Sequence, residues 1–257
     1  MTASVDSATP RALELRNVEK VFGENAAALR GLSFDVFEGE FVSLLGPSGC
    51  GKSTALRLIA GLIQPTSGTI KRRFGKSELA VVFQEPTLMP WTTVEKNVWL
   101  PLKLRGMSFG EAKPVVDEAL RLVGLEGFRG AWPRELSGGM KMRVSIARAL
   151  VTRPKLILMD EPFAALDEIT RFRLNDDLLS LKSKLGCTVV FVTHSVFESV
   201  YLSDRILTMG TAPGRVVEET VIDTERSRDE TFRTSAEYAG WCRNVSESLR
   251  RGIGAAV

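Results

Sequence analysis

The sequence predicts an α/β protein in which a parallel sheet carries the functional residues. An apolar run at 41–45 is typical of a strand buried on both faces. It leads through a glycine-rich turn into apolar residues with helical spacing between Leu56 and Ile63. Strand, glycine-rich turn and helix in this order open a parallel α/β unit. Further apolar runs of strand length occur at 79–83, 156–159, 188–192 and 205–209.

Composition limits the class of protein. The 257 residues include 34 Lys plus Arg and 31 Asp plus Glu, so the formal charge is only +3 and gives no reason to expect nucleic acid. A hydrophobic content of 44% excludes general disorder. The cysteines Cys50, Cys187 and Cys242 are odd in number and far apart, which favours a reducing compartment. Neither a signal peptide nor an apolar stretch of membrane-spanning length is visible.

The remaining elements follow from local signals. Residues 1–10 are small and polar and predict a flexible leader, and strands with alternating apolar residues are expected around 13–15 and 32–36. Ser108 and Glu111 form a capping-box pattern before a helix that should stop at Gly124. A longer helix should stop at Gly186, and the polar C-terminal region holds one amphipathic helix that contains Trp241.

A phosphate-binding loop is the strongest functional signal. The pattern G-x-x-x-x-G-K-[S/T] and the residue after it are matched by Gly46, Pro47, Ser48, Gly49, Cys50, Gly51, Lys52, Ser53 and Thr54. Glycines let backbone N–H groups converge on phosphate oxygens, and the following helix adds the positive end of its dipole. Lys52 supplies a charge for the β- and γ-phosphates, and the Ser53 hydroxyl is a ligand for Mg²⁺. The position between a buried strand and a helix is what this chemistry requires.

A second functional signal, a pair of acidic residues, follows the apolar run at 156–159. Asp160 comes at the C-terminal edge of this strand, where such sheets bind ligands, and is expected to hold Mg²⁺ through water. Glu161 follows directly and can accept a proton from an attacking water. Together with the phosphate loop, the two carboxylates predict a nucleoside-triphosphate site. The sequence N-K-x-D, which reads guanine in GTPases, is absent, so ATP is favoured.

A third motif distinguishes this chain from other phosphate-loop proteins. Ser137, Gly138 and Gly139 lie at the start of a predicted helix, where amides and a hydroxyl suit another phosphate; a plain serine N-cap is the structural alternative. With this motif the chain resembles, over about residues 13–217, the ATP-binding subunit of an ATP-binding-cassette (ABC) transporter. The resemblance implies a P-loop NTPase (RecA-like) α/β core with an N-terminal antiparallel β subdomain. The implied boundaries are 11–225 for the ATPase domain, with an inserted helical subdomain at about 86–149, and 226–257 for a helical tail.

The family resemblance also implies residue roles. Gln84 senses Mg²⁺ and the attacking water, His194 contacts the γ-phosphate, and Phe22 stacks on adenine. Asp167 lines the contact between two copies. In the family, the Ser137 motif of one copy caps the γ-phosphate held by another, so a head-to-tail dimer with two ATP molecules is expected. Taken alone, a single histidine near an apolar strand is more often a core residue, and Gln84 would be a surface glutamine.

The branch of the family indicates an importer. The sequence Leu-Met-Pro-Trp at 88–91, with the segment 165–171, resembles importers of nitrate, sulfonate and taurine, whose relatives handle pyrimidine precursors. The resemblance implies membrane permease subunits, an indirect solute-binding protein, and a peripheral location at the cytoplasmic face of the inner (plasma) membrane. An apolar patch around Trp91 and Trp99 would receive the permease, although subdomain core explains it equally well.

Four residues differ from those usual in the family. Met140 and Met142 stand where glutamine is usual, Ser195 stands where aspartate is common after the histidine, and Phe22 lacks the frequent hydroxyl. None of these removes a reacting group, so an active ATPase is expected.

One alternative is an ABC ATPase that clamps nucleic acid, which would carry long coiled-coil insertions that are not visible here. The other is a phosphate-loop kinase, which would need a lid and would lack the Ser-Gly-Gly motif.

Overall fold

The computed structural model describes residues 9–23, 26–224 and 226–254, and the chain divides into two compact units. The first unit comprises the described parts of 1–75 and 187–257, and the second comprises 76–186. The strands are β1 (Arg11–Phe22), β2 (Ala26–Phe37), β3 (Phe41–Leu45), β4 (Ser67–Arg72), β5 (Leu79–Val82), β6 (Leu156–Asp160), β7 (Thr188–Thr193), β8 (Arg205–Met209) and β9 (Val216–Val221). The helices are α1 (Lys52–Ala60), α2 (Val94–Leu104), α3 (Phe109–Leu122), α4 (Gly138–Leu150), α5 (Glu168–Leu185), α6 (Val196–Leu202), α7 (Glu230–Arg233) and α8 (Ala236–Gly254).

An antiparallel sheet forms the N-terminal part of the first unit. Its strand order is β2-β1-β4, and both outer strands run antiparallel to β1. Leu13 and Leu15 are buried at 1% and 0% exposure, so the alternation seen in the sequence marks the core face. Residues 1–8 of the expected leader lie outside the described residues, and β1 begins at Arg11.

The second sheet region of the first unit places two functional loops at one edge. Strand β3 pairs in parallel with β7 and β8, and β9 pairs antiparallel with β8. All five residues of β3 are buried. Because Leu45 at the end of β3 is the register partner of Thr193 at the end of β7, the loops that follow these strands begin at the same edge.

The second unit combines two parallel strands with helices. Strands β5 and β6 are paired so that Val82 lies beside Met159, which brings the segments after both strands to one edge. Helices α2, α3 and α4 pack on one another, and α4 also contacts α5. An ion pair of 2.9 Å between Arg143 and Asp177 joins α4 to α5. The capping box of α3 is present as predicted, since the Ser108 and Glu111 side chains bond reciprocally to each other's backbone N–H groups.

Several local expectations differ from the structure. Helix α1 ends at Ala60, because Gly61 adopts a left-handed conformation (φ 71°) and the amide of Leu62 donates to the carbonyl of Arg57 at 3.0 Å. Leu62 is therefore outside the helix and is 58% exposed. Strands β4 and β9 and helix α6 were not predicted from the sequence, since β4 and β9 are half-exposed edge strands without an apolar run.

Candidate functional site

The phosphate loop connects β3 to α1 and has backbone geometry that glycine makes possible. Gly49 and Gly51 have φ angles of 80° and 96°, and a Cβ on Gly51 would lie 2.7 Å from the carbonyl oxygen of Ala28. Ser53 and Thr54 follow in the first turn of α1, where helix geometry leaves backbone N–H groups without helical carbonyls. Gly46, Pro47, Ser48 and Cys50 complete the loop. The arrangement suits an anion with several oxygens.

Lys52 lies across this loop and is 4% exposed. Its Nζ donates to the carbonyl oxygens of Gly46 at 2.8 Å and Pro47 at 2.9 Å. These two hydrogen bonds hold the ammonium group against the backbone of the loop. Carbonyl acceptors on a buried cation can be exchanged for phosphate oxygens, which are stronger partners because they carry charge.

The connection between β8 and β9 is hydrogen-bonded to β2 and packs against the phosphate loop. The amide of Gly214 donates to the carbonyl of Ala28 at 2.9 Å, and the amide of Arg30 donates to the carbonyl of Gly214 at 3.1 Å. A Cβ on Gly214 would lie 2.0 Å from the carbonyl oxygen of Cys50. Only glycine fits at this position, so the backbones of the two loops are in direct contact.

Two further predicted residues of the first unit lie at strand ends. His194 follows β7 and is exposed, at the same sheet edge as the phosphate loop. Phe22 ends β1, is 46% exposed, and has the Nζ of Lys20 at 5.0 Å from its ring centroid. An exposed aromatic face beside a cation can take a flat aromatic base by stacking.

The carboxylates of the second unit end β6. Asp160 is 7% exposed, and Glu161 is half-buried with a φ of 44°. A left-handed backbone is costly for a residue with a long side chain, and such conformations cluster at functional sites. The turn is kept by the amide of Ala164, which donates to the carbonyl of Glu161 at 3.2 Å. This backbone places two consecutive carboxylates at the strand edge.

Gln84 is exposed two residues beyond the end of β5, at the edge where Asp160 ends β6. The loop that follows Gln84 is held by Arg148 of α4, a residue that sequence reasoning missed. The Arg148 guanidinium donates to the carbonyls of Pro86 at 2.7 Å and Thr87 at 2.8 Å, and to the Thr87 hydroxyl at 2.9 Å. Burial lowers the pKa of Arg148, and Thr87 has a φ of 48°. The strained loop after Gln84 is thus fixed to the helix that begins at Gly138.

The Ser-Gly-Gly motif forms the start of that helix. Ser137 is the N-cap, and its hydroxyl accepts from the amide of Met140 at 3.2 Å. Both glycines lie inside α4 rather than in a loop, and a Cβ on Gly139 would lie 2.6 Å from Cγ2 of Thr170 in α5. Asp167 caps α5 by accepting from the Thr170 amide at 3.0 Å, and this hydrogen bond lowers the pKa of Asp167. Gly139 therefore packs against the start of α5 with no room for a side chain, whereas Gly138 is exposed.

The predicted residues are distributed over both units. Phe22, residues 46–54 and His194 belong to the first unit, whereas Gln84, residues 137–139, Asp160, Glu161 and Asp167 belong to the second. Among the described residues, no three His, Cys, Asp or Glu side chains gather into a metal site. None of the helices within the described ranges is long and apolar enough to cross a membrane.

Comparison with known proteins decides the family. The model of the ABC transporter family matches residues 29–164. The chain is also 45% identical over 219 residues to the aliphatic sulfonates import ATP-binding protein SsuB 1 of Pseudomonas syringae pv. syringae, covering 84% of this chain and 88% of that protein. This chain belongs to the ABC transporter family. Its fold is the α/β P-loop core of these proteins, and its enzymatic class is ATPase.

Other similarities extend over most of this ABC ATPase. The nitrate import ATP-binding protein NrtD of Synechocystis is 41% identical over 252 residues, covering 93% of this chain and 95% of that protein. A solved dimeric ATP-binding cassette in a post-hydrolysis state with ADP and Pi is 34% identical with a TM-score of 0.73, covering 82% of this chain and 99% of that one. The resemblance inferred from the sequence motifs is thus confirmed.

Proposed function

We propose that this chain is the ATP-hydrolysing subunit of an importer and drives uptake of a small solute through separate permease subunits. The observation that carries the proposal is its similarity, over more than four-fifths of its length, to proteins named for sulfonate import and nitrate import. Nitrate and sulfonates, taurine among them, are therefore the first solutes to test, followed by pyrimidine-like compounds. A solute-binding protein would deliver the solute, and the chain itself would sit on the cytoplasmic face of the inner membrane.

The nucleotide site is proposed from the chemistry of its residues. Backbone N–H groups within residues 46–54, in which Pro47 has none, and the Lys52 ammonium bind the β- and γ-phosphates of ATP, and Phe22 stacks on adenine. Ser53, Gln84 and Asp160 offer oxygen ligands of the kind that Mg²⁺ prefers. The ion would neutralise phosphate charge in the bound nucleotide.

Hydrolysis requires a base and a group that stabilises charge at the γ-phosphate. Glu161 is the proposed general base, because its strained backbone presents a carboxylate directly after the buried strand β6. His194 is the proposed hydrogen-bond partner of the γ-phosphate, and Gln84 orients the water. Each role is a positioning or proton-accepting one, which is the main contribution of protein to phosphoryl transfer.

A second copy of the chain completes the site in this proposal. Ser137, Gly138 and Gly139 at the start of α4 offer amides and a hydroxyl to the γ-phosphate bound by the other copy, so two ATP molecules are sandwiched in a head-to-tail dimer. The solved cassettes that are similar to this chain include dimeric ones, which supports this arrangement. Asp167, next to the motif, would line the contact. ATP binding then closes the dimer and hydrolysis reopens it.

The test of the enzymatic roles uses Glu161→Gln, which keeps size and hydrogen bonding but removes the base. We expect ATP binding to persist, hydrolysis to fall at least about 100-fold, and a stable dimer to accumulate with ATP in light-scattering measurements. Asp176→Asn, a carboxylate on α5 outside the proposed site, is the matched control. Normal turnover of Glu161→Gln would remove Glu161 from the role of base.

The test of transport uses the full complex. The chain is co-expressed with candidate permease subunits, reconstituted in vesicles, and assayed for ATP-dependent uptake of nitrate, taurine and an alkanesulfonate with the cognate binding protein. Stimulation of ATP hydrolysis by one loaded binding protein would identify the solute. A chain that hydrolyses ATP but binds duplex DNA in a gel shift and no permease would instead be the clamp-type ATPase.

A further inference from the structure

The polypeptide after β9 folds back over α6, the short helix that begins two residues after His194. Helix α8 contacts α6 as well as β8 and β9, and α7 packs against α8. We call residues 226–254, with α7 and α8, the C-terminal tail. The tail lies outside the residues that the family model matches, and nothing in the proposed chemistry uses it.

Tyr201 of α6 is embedded in the C-terminal tail. It is 1% exposed, and its hydroxyl donates to the carbonyl of Arg228 at 2.7 Å. The guanidinium of Arg233 lies 3.8 Å from the centre of the Tyr201 ring, a cation–π distance. Phe232, which is fully buried, lies 6.4 Å from the same ring. A hydrogen bond, a cation–π contact and a contact between aromatic rings thus hold the Tyr201 side chain against the tail.

Tyr238 of α8 makes the second connection, to the backbone of α6. Its hydroxyl donates to the carbonyl of Phe197 at 2.9 Å, and its ring meets Tyr201 edge-on at 6.4 Å. Burial raises the pKa of Tyr238, so the hydroxyl keeps its proton and remains a donor. Because the acceptor is a backbone carbonyl, this hydrogen bond connects α8 directly to the main chain of α6.

Helix α6 is in turn bonded to the segment that carries His194. Glu198 of α6 is 6% exposed, and its carboxylate accepts a hydrogen bond from the Thr193 hydroxyl at 2.5 Å. The Thr193 hydroxyl also accepts from the amide of Ser195 at 3.0 Å, and the Ser195 hydroxyl accepts from the amide of Glu198 at 3.3 Å. The residues on both sides of His194 are therefore tied to α6.

We propose that the C-terminal tail is a positioning element for ATP hydrolysis, with Tyr238 as its main positioning residue. The tail fixes α6, and α6 fixes Thr193 and Ser195 and with them the exposed His194. This inference rests on the proposed role of His194 at the γ-phosphate. Ser195 gains a definite function in it: where the family commonly has aspartate, the serine caps α6 and helps to close the hydrogen-bonded ring with Glu198.

The need for such support follows from the length of α6. A helix of seven residues is unstable by itself, because nucleation costs more than so few hydrogen bonds return. Its position must come from tertiary contacts: β3 and β7 supply some of them, and the tail supplies others at Phe197 and Tyr201, on the first and last turns. Loosening the tail should let α6 move and should lower the fraction of molecules in which His194 is correctly placed.

The experiment compares Tyr238→Phe with Ser246→Ala in the full-length chain. Both variants lose one hydroxyl of α8 that donates to a backbone carbonyl, but the Ser246 hydroxyl bonds within α8, to Cys242 at 2.7 Å. We expect Tyr238→Phe to lower the kcat for ATP hydrolysis by about three- to tenfold, the range for one lost hydrogen bond, with KM for ATP unchanged. Ser246→Ala should leave kcat unchanged. Equal kcat values in Tyr238→Phe and wild type would overturn the inference.

A double-mutant cycle separates positioning from a general loss of stability. His194→Ala removes the group that the tail is proposed to position, so adding Tyr238→Phe to it should cause no further loss of kcat. If the Tyr238→Phe loss is the same in both backgrounds, the tail acts independently of His194 and the inference fails. If His194→Ala itself retains full activity, it is the proposed role of His194 that fails. The two failures are therefore distinguishable in one set of measurements.

Discussion

The contact between Gly139 and Thr170 of α5 predicts that Gly139→Ala destabilises the chain. A second substitution, at Thr170, should turn this loss of stability into a gain. In Gly139→Ala the new Cβ would lie 2.6 Å from Cγ2 of Thr170, closer than side-chain carbons approach. Overpacking of this kind costs about 2 kcal/mol, whereas alanine gains about 0.8 kcal/mol over glycine in a helix. We therefore expect Gly139→Ala to lower the free energy of unfolding by about 1 kcal/mol.

The matched background is Thr170→Ser, which removes only the methyl group in question. The next atom of residue 170, its Cβ, lies 4.0 Å from the added carbon, which is an ordinary contact distance. In this background Gly139→Ala should stabilise the chain by about 0.5–1 kcal/mol, so the coupling between the two sites is about 2 kcal/mol. The amide of residue 170 can still donate to Asp167, which keeps the cap of α5.

Urea unfolding, monitored by tryptophan fluorescence, reports on the stability of the unit that contains Gly139. Of the four tryptophans, Trp91, Trp99 and Trp132 lie in the second unit, which also contains the motif and α5. The midpoint should shift while the slope of the transition stays constant. If Gly139→Ala changes stability equally with threonine and with serine at position 170, the steric reasoning is refuted.

Three further predictions concern other contacts. Arg148→Lys should lower the free energy of unfolding by about 1–2 kcal/mol in urea titrations, because lysine cannot present a planar fork to two carbonyls, whereas Arg153→Lys, at an exposed position, should have no effect. Burial raises the pKa of the Cys242 thiol to about 11, so alkylation followed by peptide mass spectrometry at about pH 8 should be roughly 100-fold slower in the folded than in the urea-unfolded chain. Hydrogen bonds from Ser108 hold the pKa of Glu111 below its ordinary value of 4.5, so the stabilisation by this carboxylate is present above that value and is lost as the pH falls through the lowered pKa. The difference in urea midpoint between wild type and Glu111→Gln should accordingly be present near pH 7 and should shrink as the pH falls below 4.5.

Local signals predicted the parts of the fold that local chemistry determines. The capping box of Ser108 and Glu111 and the helix stop at Gly186 needed no information from elsewhere in the chain. The buried strand β3 and the phosphate loop could be predicted equally well, because a strand covered on both faces is mostly apolar and a loop that binds phosphate is rich in glycine. Asp160 and Glu161 could be placed at the end of a strand for the same reason.

Other features depend on contacts between distant segments and left no local pattern. Strand β4 is polar and exists because it pairs with β1. Arg148 is one of many arginines in the sequence, and only the structure shows that it holds the loop after Gln84. The side-chain ring around Glu198 is similar: the spacing of Thr193, Ser195 and Glu198 is compatible with it, but only burial makes the carboxylate a structural centre.

The close approach of Gly214 to Cys50 has a consequence for how nucleotide affinity can vary in such chains. The loop between β8 and β9 touches the phosphate loop, so the shape of the phosphate loop depends on a residue downstream of the segment that the family model matches. A methyl group at 214 would overlap the carbonyl oxygen of Cys50, so one of the two loops would have to shift. In the proposed nucleotide site, affinity for ATP should therefore depend on position 214 as well as on the residues proposed to bind the phosphates.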